Sequence, residues 1–276
     1  MPRTRPSGSP PTFRRLGPVA LPPLEAVARP VGLLRAISPG DDPIASWSMT
    51  ATPALVLGRG AGAPQVDMAA ARASGVAVVR RTSGGGPVLW DAGLVGLDVI
   101  LPPGHELAPA DVVETYRWLG EAVARGLRAL GLPGVAVVEV PRARAAARAP
   151  GPAAAACYGG ISPFEVLVEG RKVLGLSQAR RRPGTLLQAG VLLDVDGPLT
   201  ARLMGQDTAF ATALNRHAAG LREWDPGLDA GDVVAAVNMS VVEVTGHMLA
   251  ASQPTAAEGD AIAAAAGDLA GPVRAR

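Results

Sequence analysis

The stretch Phe164-Glu165-Val166-Leu167-Val168-Glu169-Gly170-Arg171-Lys172-Val173-Leu174-Gly175-Leu176-Ser177 reads as a β-hairpin. Apolar residues fill both arms, and Glu169-Gly170 supplies the flexible turn between them. Downstream, Arg180-Arg181-Arg182-Pro183-Gly184 marks another turn, followed by a strand from Leu186 to Val195. Upstream, strands are expected at Pro53–Leu57, Val76–Arg81 and Val95–Leu101, with a helix over 65–74 closed by Gly75. Val112, Tyr116, Leu119, Val123 and Leu127 give a helical stripe within Pro109–Leu130, and Gly131 ends it. Residues 142–156 read as a loop, and helical segments fill 199–250. Strands joined through hairpins, with helices in separate runs, predict an α+β fold on a mixed, largely antiparallel sheet flanked by helices.

Composition bounds what such a fold can do. Of 276 residues, 48% are hydrophobic but only 3% aromatic, so the core must be built from Ala, Val and Leu. The 34 Gly and 26 Pro follow no Gly-X-Y period, which excludes collagen. A formal charge of +2 and nine aromatic residues argue against a dedicated nucleic-acid binder. No run of about 18 uncharged apolar residues appears, and Pro18-Val19-Ala20-Leu21-Pro22 is too short and too Pro-broken for a signal-peptide core. A cytoplasmic protein that engages neither membrane nor nucleic acid is expected. Residues 1–30 read as a disordered tail, 31–250 as one catalytic domain and 251–276 as an Ala/Gly-rich tail.

The single Cys157 excludes internal disulfides and Cys-cluster metal sites, and His105, His217 and His247 are scattered. No metal site is expected. Of 26 basic residues 25 are Arg, and the exception is Lys172. Codon drift in a GC-rich genome explains the arginines. It leaves the lysine open, because Arg cannot release a proton near neutral pH.

Two segments can carry chemistry. In Arg80-Arg81-Thr82-Ser83-Gly84-Gly85-Gly86-Pro87-Val88, three glycines after a strand expose backbone N–H groups, and two arginines precede them. The loop lacks the spacing of a Walker A or dinucleotide motif. It is either an ordinary tight turn or a ligand cradle. In the second segment Cys157, followed by Tyr158-Gly159-Gly160, precedes Lys172 by fifteen residues. A free Cys is either an inert small hydrophobe or a nucleophile. Period-2 alternation puts Lys172 on the face of Leu174 and Leu176, opposite Gly175 and Ser177. An ammonium among apolar groups needs a partner or a ligand. A nearby lysine can favour the thiolate.

These strings, with Pro53-Ala54-Leu55-Val56-Leu57-Gly58-Arg59 and Leu187-Gln188-Ala189-Gly190-Val191-Leu192-Leu193, resemble the lipoate–protein ligase A / octanoyltransferase family of the biotin and lipoate protein-ligase superfamily. The resemblance spans roughly residues 45 to 195, with four motifs in the family's order. It implies a mixed sheet with flanking helices and an octanoyl or lipoyl substrate. Cys157-Tyr158, Lys172 and Glu165 match the Cys-dependent stand-alone octanoyltransferase branch. By that match Cys157 and Lys172 are the catalytic pair. Arg81, Ser83, Gly84, Gly85, Gly86, Pro87, Val88, Gly175, Ser177 and Gly190 are the substrate-binding set. The implied donor is acyl carrier protein. The implied acceptors are lipoyl-domain proteins: the glycine cleavage H protein and the E2 subunits of 2-oxoacid dehydrogenases. A transferase needs no cofactor; the alternative, a lipoate ligase, needs ATP and Mg. A further alternative is a non-catalytic acyl- or lipoyl-domain-binding paralogue. The chain departs from the pattern at Trp90 and Ala189, where the family usually has His, and at Gly96-Leu97-Asp98.

Overall fold

Glu169 and Gly170 both adopt positive φ, 47° and 82°, the geometry that lets a two-residue turn follow the twist of its strands. The hairpin they close is part of a computed structural model that describes residues 11–59 and 66–271. In chain order the first elements are β1 (Thr12–Leu21), α1 (Pro23–Ala36), β2 (Ile44–Thr50), β3 (Ala54–Leu57), α2 (Met68–Ala73), β4 (Ala77–Arg80), β5 (Val88–Trp90) and β6 (Leu94–Leu101). Next come α3 (Arg117–Ala129), β7 (Ala136–Val137), α4 (Val140–Arg148), β8 (Val166–Val168), β9 (Arg171–Lys172), β10 (Leu174–Arg181) and β11 (Gly184–Leu192). The chain closes with α5 (Gly197–Leu203), α6 (Thr208–His217), α7 (Ala230–Thr245), β12 (Met248–Ser252) and α8 (Ala256–Leu269).

The main sheet has six strands in the order β10-β11-β6-β2-β1-β12. Its first three junctions are antiparallel and its last two parallel. Two three-stranded sheets, β4-β3-β5 and β7-β8-β9, flank it. The fold is therefore α+β on a mixed, largely antiparallel sheet, as the sequence predicts.

Strand β6 is buried along its whole length, and alternation sends its two sets of side chains to different layers. Val95, Leu97, Val99 and Leu101 join the main core with Leu119, Val123 and Leu127 of α3 and Val233 and Val237 of α7. Leu94, Gly96, Asp98 and Ile100 face the other way, toward α1 and the β4-β3-β5 sheet. That second face holds the site.

Four expectations need correction. The proposed tails at 1–30 and 251–276 contain structure: β1 lies between β2 and β12, and α8 packs on α1. A Cβ at Gly32 would fall 2.4 Å from the Ile262 Cα, and Arg14 meets Glu258 at 2.5 Å. A domain start at residue 31 would cut through α1. The outermost parts of those tails, 1–10 and 272–276, lie outside the described residues, as do 60–65, which include Gly60 and the first residue of the 65–74 helix. The helix expected from Pro109 begins at Arg117, after a short 3-10 turn. The Asp111 carboxylate takes the N–H groups of Val113 and Glu114 and holds that entry as a turn. The loop at 142–156 is helical as far as Arg148, with Pro141 in the first turn, where a missing N–H costs nothing. Finally, the run expected to be wholly helical at 199–250 ends in β12.

Candidate active site

Lys172 is 1% exposed at the end of β9, and Glu165 is equally buried just before β8. The sequence requires a partner for this ammonium, and Glu165 supplies it: Nζ lies 2.7 Å from Oε2. Nζ also donates to the carbonyl oxygens of Cys157 (2.9 Å) and Gly160 (3.0 Å). An ammonium has three donors, and here three oxygens receive them. Burial pushes the Glu165 carboxyl above its ordinary value. Lys172 and the amides of Leu176 and Ser162, which donate to its two oxygens, oppose that rise. The lysine thus grips the main chain of the cysteine segment, and no hydrogen bond to Cys157 Sγ is present among the described residues.

Cys157 opens a 3-10 turn, half-exposed, and its own N–H donates to the Pro87 carbonyl at 2.9 Å. That bond ties the cysteine segment to the glycine loop. Gly86 permits it, because a Cβ there would sit 2.6 Å from the Ala155 oxygen and 2.9 Å from the Cys157 nitrogen. Gly85 has φ +98°, and a Cβ on it would point at the Arg81 guanidinium (2.7 Å) and lie 4.0 Å from Cys157 Sγ. Arg81, 9% exposed, donates to the carbonyls of Gly84 and Gly86. With the loop's carbonyls turned onto Arg81, none of the N–H groups of Gly84, Gly85 and Gly86 donates to a described residue.

The antiparallel register aligns two rows of residues across β10, β11 and β6. One row is Gly175-Gly190-Gly96 and the next is Ser177-Gln188-Asp98. The glycine row makes room for aromatic rings. Tyr158 lies against Gly175 and Gly190, its hydroxyl donating to the Gly190 carbonyl at 2.7 Å. Trp90 lies on Gly96, its Cζ2 3.0 Å from where a Cβ would be, and donates to the Leu94 carbonyl. Trp90 and Gly96 therefore pack directly on each other. The polar row is joined by hydrogen bonds. Ser177 donates to Ser83, Ser83 to Gln188 Oε1 (2.5 Å), and Gln188 Nε2 to Asp98 Oδ1 (2.7 Å).

Between these rows, the glycine loop and α1 lies a mainly apolar cleft enclosing about 600 Å³, part of it open to solvent. Of the residues singled out from sequence, Arg81, Val88, Cys157, Gly175, Ser177 and Gly190 line it. Ser83, Gly84, Gly86 and Pro87 are hydrogen-bonded to residues of that lining, Gly85 lies beside Arg81 and Cys157, and Lys172 holds the Cys157 carbonyl. The lining also includes Val27, Val56, Trp90, Asp98, Tyr158 and Gln188. Gln188 and Asp98 were legible by alternation from Gly190 and Gly96. Val27 was not, since it reaches the cleft from a helix assigned to the tail. No cluster of potential metal ligands and no helix long and apolar enough to cross a membrane occurs among the described residues.

Residues 22–237 match the family model described as the lipoyl protein ligase A/B catalytic domain. The octanoyltransferase LipM of Kyrpidia tusciae is 40% identical over 133 residues, 48% of this chain and 47% of that protein. LipM of Bacillus subtilis is 37% identical over 134 residues, again 48% and 47%. The chain thus spans about half the length of the curated relatives it matches. Among solved structures, lipoate–protein ligase A bound with ATP superposes with a TM-score of 0.74 at 19% identity, covering 93% of this chain and 94% of that one. The bipartite lipoate protein ligase of Thermoplasma acidophilum gives 0.74 at 20%, covering 93% and 92%. At those identities the structural likeness speaks for the fold.

Proposed function

Since the chain belongs to the lipoyl protein ligase A/B catalytic-domain family, we propose that it is an acyltransferase. In this reading it carries an octanoyl or lipoyl group from acyl carrier protein, through a Cys157 thioester, to the lysine of a lipoyl domain. The observation that carries it is the position of Cys157. The one cysteine of the chain lines the apolar cleft beside three glycines whose N–H groups are uncommitted among the described residues.

In the first step the Cys157 thiolate attacks the carbonyl carbon of the donor thioester. A new C–S bond forms, the old one breaks, and the carrier sulfur leaves as the thiolate. Charge develops on the carbonyl oxygen, and the glycine loop, where a Cβ on Gly85 would lie 4.0 Å from Sγ, offers N–H groups uncommitted among the described residues as its donors. Arg81 presets those donors by holding the loop's carbonyls. In the second step the neutral amine of the acceptor lysine attacks the acyl carbon, an amide forms, and the Cys157 sulfur leaves and takes up the proton. Lys172 acts through position: with its three donors on Glu165, Gly160 and the Cys157 carbonyl, it fixes the turn that aims Sγ. The carbonyl carbon stays at the cleft mouth, and the hydrocarbon lies between Tyr158, Trp90 and the valines.

The resemblance to LipM, named an octanoyltransferase, favours a carrier thioester as donor. The test is transfer to a purified lipoyl domain, such as a glycine cleavage H protein, from octanoyl-acyl carrier protein without nucleotide. Acylated domain with the parent and none with Cys157→Ala supports the proposal. Transfer that needs free octanoate or lipoate with ATP and Mg²⁺, and survives Cys157→Ala, overturns it in favour of a ligase. Binding without transfer under either condition would leave a non-catalytic paralogue.

A further inference from the structure

Trp90 is the last residue of β5, and its indole crosses from the small β4-β3-β5 sheet to the main one. Antiparallel pairing with β3 puts Trp90 and Val88, with Val56, on the face that lines the cleft, while Leu55 and Leu89 join a separate core behind it. On the main sheet the ring lands on Gly96, Cζ2 being 3.0 Å from where a Cβ would stand, and Nε1 donates to the Leu94 carbonyl at 3.2 Å. The glycine lets so large a ring reach the strand, and the hydrogen bond fixes where it stops. Trp90 packs against both apolar groups around the cleft, Val27 and Val56 on one side and Leu94 and Tyr158 on the other. Directly after it the chain turns through 91–93 into β6, so the two sheets are joined at this corner.

Cys157 is placed at the opposite end of the same strand. Its N–H donates to the carbonyl of Pro87, the residue before β5. From Pro87 to Trp90 the strand runs roughly 10 Å, at about 3.3 Å per residue. The main sheet gives the same span independently. Tyr158, next to the cysteine, covers Gly175 of β10, and Gly96 lies two strands away across β11, roughly 10 Å at about 4.8 Å per spacing. An extended octanoyl group is of about that length, and the lipoyl group is built on the same carbon backbone. A chain on Sγ that follows the cleft therefore meets the indole with its last carbons.

We propose that Trp90 is a specificity-determining residue, the end wall of the acyl site, which admits an octanoyl or lipoyl chain and excludes longer ones. The proposal rests on the acyltransferase reading and adds its chain-length rule. Up to the wall, each methylene that leaves water for the cleft adds to binding. A longer chain must push the indole off Gly96 and break its bond to Leu94, or crumple within the cleft, and overpacking of either kind is costly. A smaller side chain at this position leaves a cavity continuous with the cleft, which the extra carbons of a longer chain fill.

The experiment measures Cys157 acylation by N-acetylcysteamine thioesters of hexanoate, octanoate, decanoate and dodecanoate. It compares the parent with Trp90→Ala and Trp90→Phe. Expected is a parent rate that rises from hexanoyl to octanoyl and is at least about tenfold lower for dodecanoyl. In Trp90→Ala the ratio of dodecanoyl to octanoyl loading rises at least about tenfold, with Trp90→Phe between the two. That ratio compares two chains on one protein, so a general loss of active protein cancels, and the phenylalanine variant stands as the check if the alanine variant folds poorly. A parent that loads dodecanoyl as fast as octanoyl, or variants whose ratios equal the parent's, overturns the proposal. Failure of every thioester to load Cys157 in the parent instead overturns the acyltransferase reading on which it stands.

Discussion

Lys172 meets Cys157 at the backbone carbonyl, 2.9 Å from Nζ, and its remaining donors are spent on Gly160 and Glu165. A lysine held this way fixes the cysteine's main chain. The distinction can be tested, because a buried charge deprived of its partner is costly whereas a proton shuttle has no such signature in stability.

Lys172→Met should therefore destabilise the fold by about 3–5 kcal/mol, leaving the buried Glu165 carboxyl without its cation. Adding Glu165→Gln, which removes the charge and keeps an acceptor for one of the two amides of Ser162 and Leu176, should restore at least half of that loss in denaturant unfolding. Lys172→Arg keeps the charge but not the compact three-way contact, and should lose both stability and transfer rate together. An arginine variant of parental stability with a rate down about 10²-fold or more would instead point to proton chemistry at this residue.

The three loop glycines are not equivalent. Gly85 has φ +98° and faces Arg81, whereas a Cβ on Gly84 meets nothing within 4 Å. Gly85→Ala should cost about 1–3 kcal/mol in backbone strain and displace the Arg81 guanidinium. Gly84→Ala should stay within about 0.5 kcal/mol of the parent. Thermal melts of the two variants side by side decide this. Equal behaviour would mean that the loop does not have the shape described.

Asp98 makes stability depend on pH in a predictable sense. Burial pushes its carboxyl up to about 7 from an ordinary 3.8, against the opposing Gln188 bond and the Arg29 charge. A carboxyl raised in the folded state keeps its proton where the unfolded chain has released it. Stability from this group is fully present below pH 3.8, falls as pH rises toward 7, and is flat above. The loss accrues at roughly 1.4 kcal/mol per pH unit. Asp98→Asn removes the titration. The variant should therefore gain on the parent in melting temperature between pH 4 and pH 8. A difference that does not change with pH would contradict the buried, singly bonded state of this carboxyl.

How far the sequence revealed this depended on the range of the interactions. The Glu169-Gly170 hairpin, the glycine loop and β6 are specified by neighbours in the chain, and their patterns could be read directly. The need of Lys172 for a partner was legible from alternation, and Glu165 lay seven residues away. Strand β1 and helix α8 were not legible. Arg14 and Glu258 meet across 244 residues, and α8 is an Ala-rich helix whose stability comes from packing on α1. The polar row was half visible. Alternation put Gln188 with Gly190 and Asp98 with Gly96, but only the strand register shows that the two pairs are adjacent.

The central claim, that Cys157 carries the acyl group, is tested most directly by intact-mass and peptide-mapping mass spectrometry. The protein is quenched at low pH after mixing with excess octanoyl-acyl carrier protein, with neither ATP nor acceptor present. One octanoyl group per chain is expected, mapped to Cys157, sensitive to hydroxylamine, and discharged when a lipoyl domain is added. An unmodified protein under these conditions, or an acyl group found on any other residue, would contradict it.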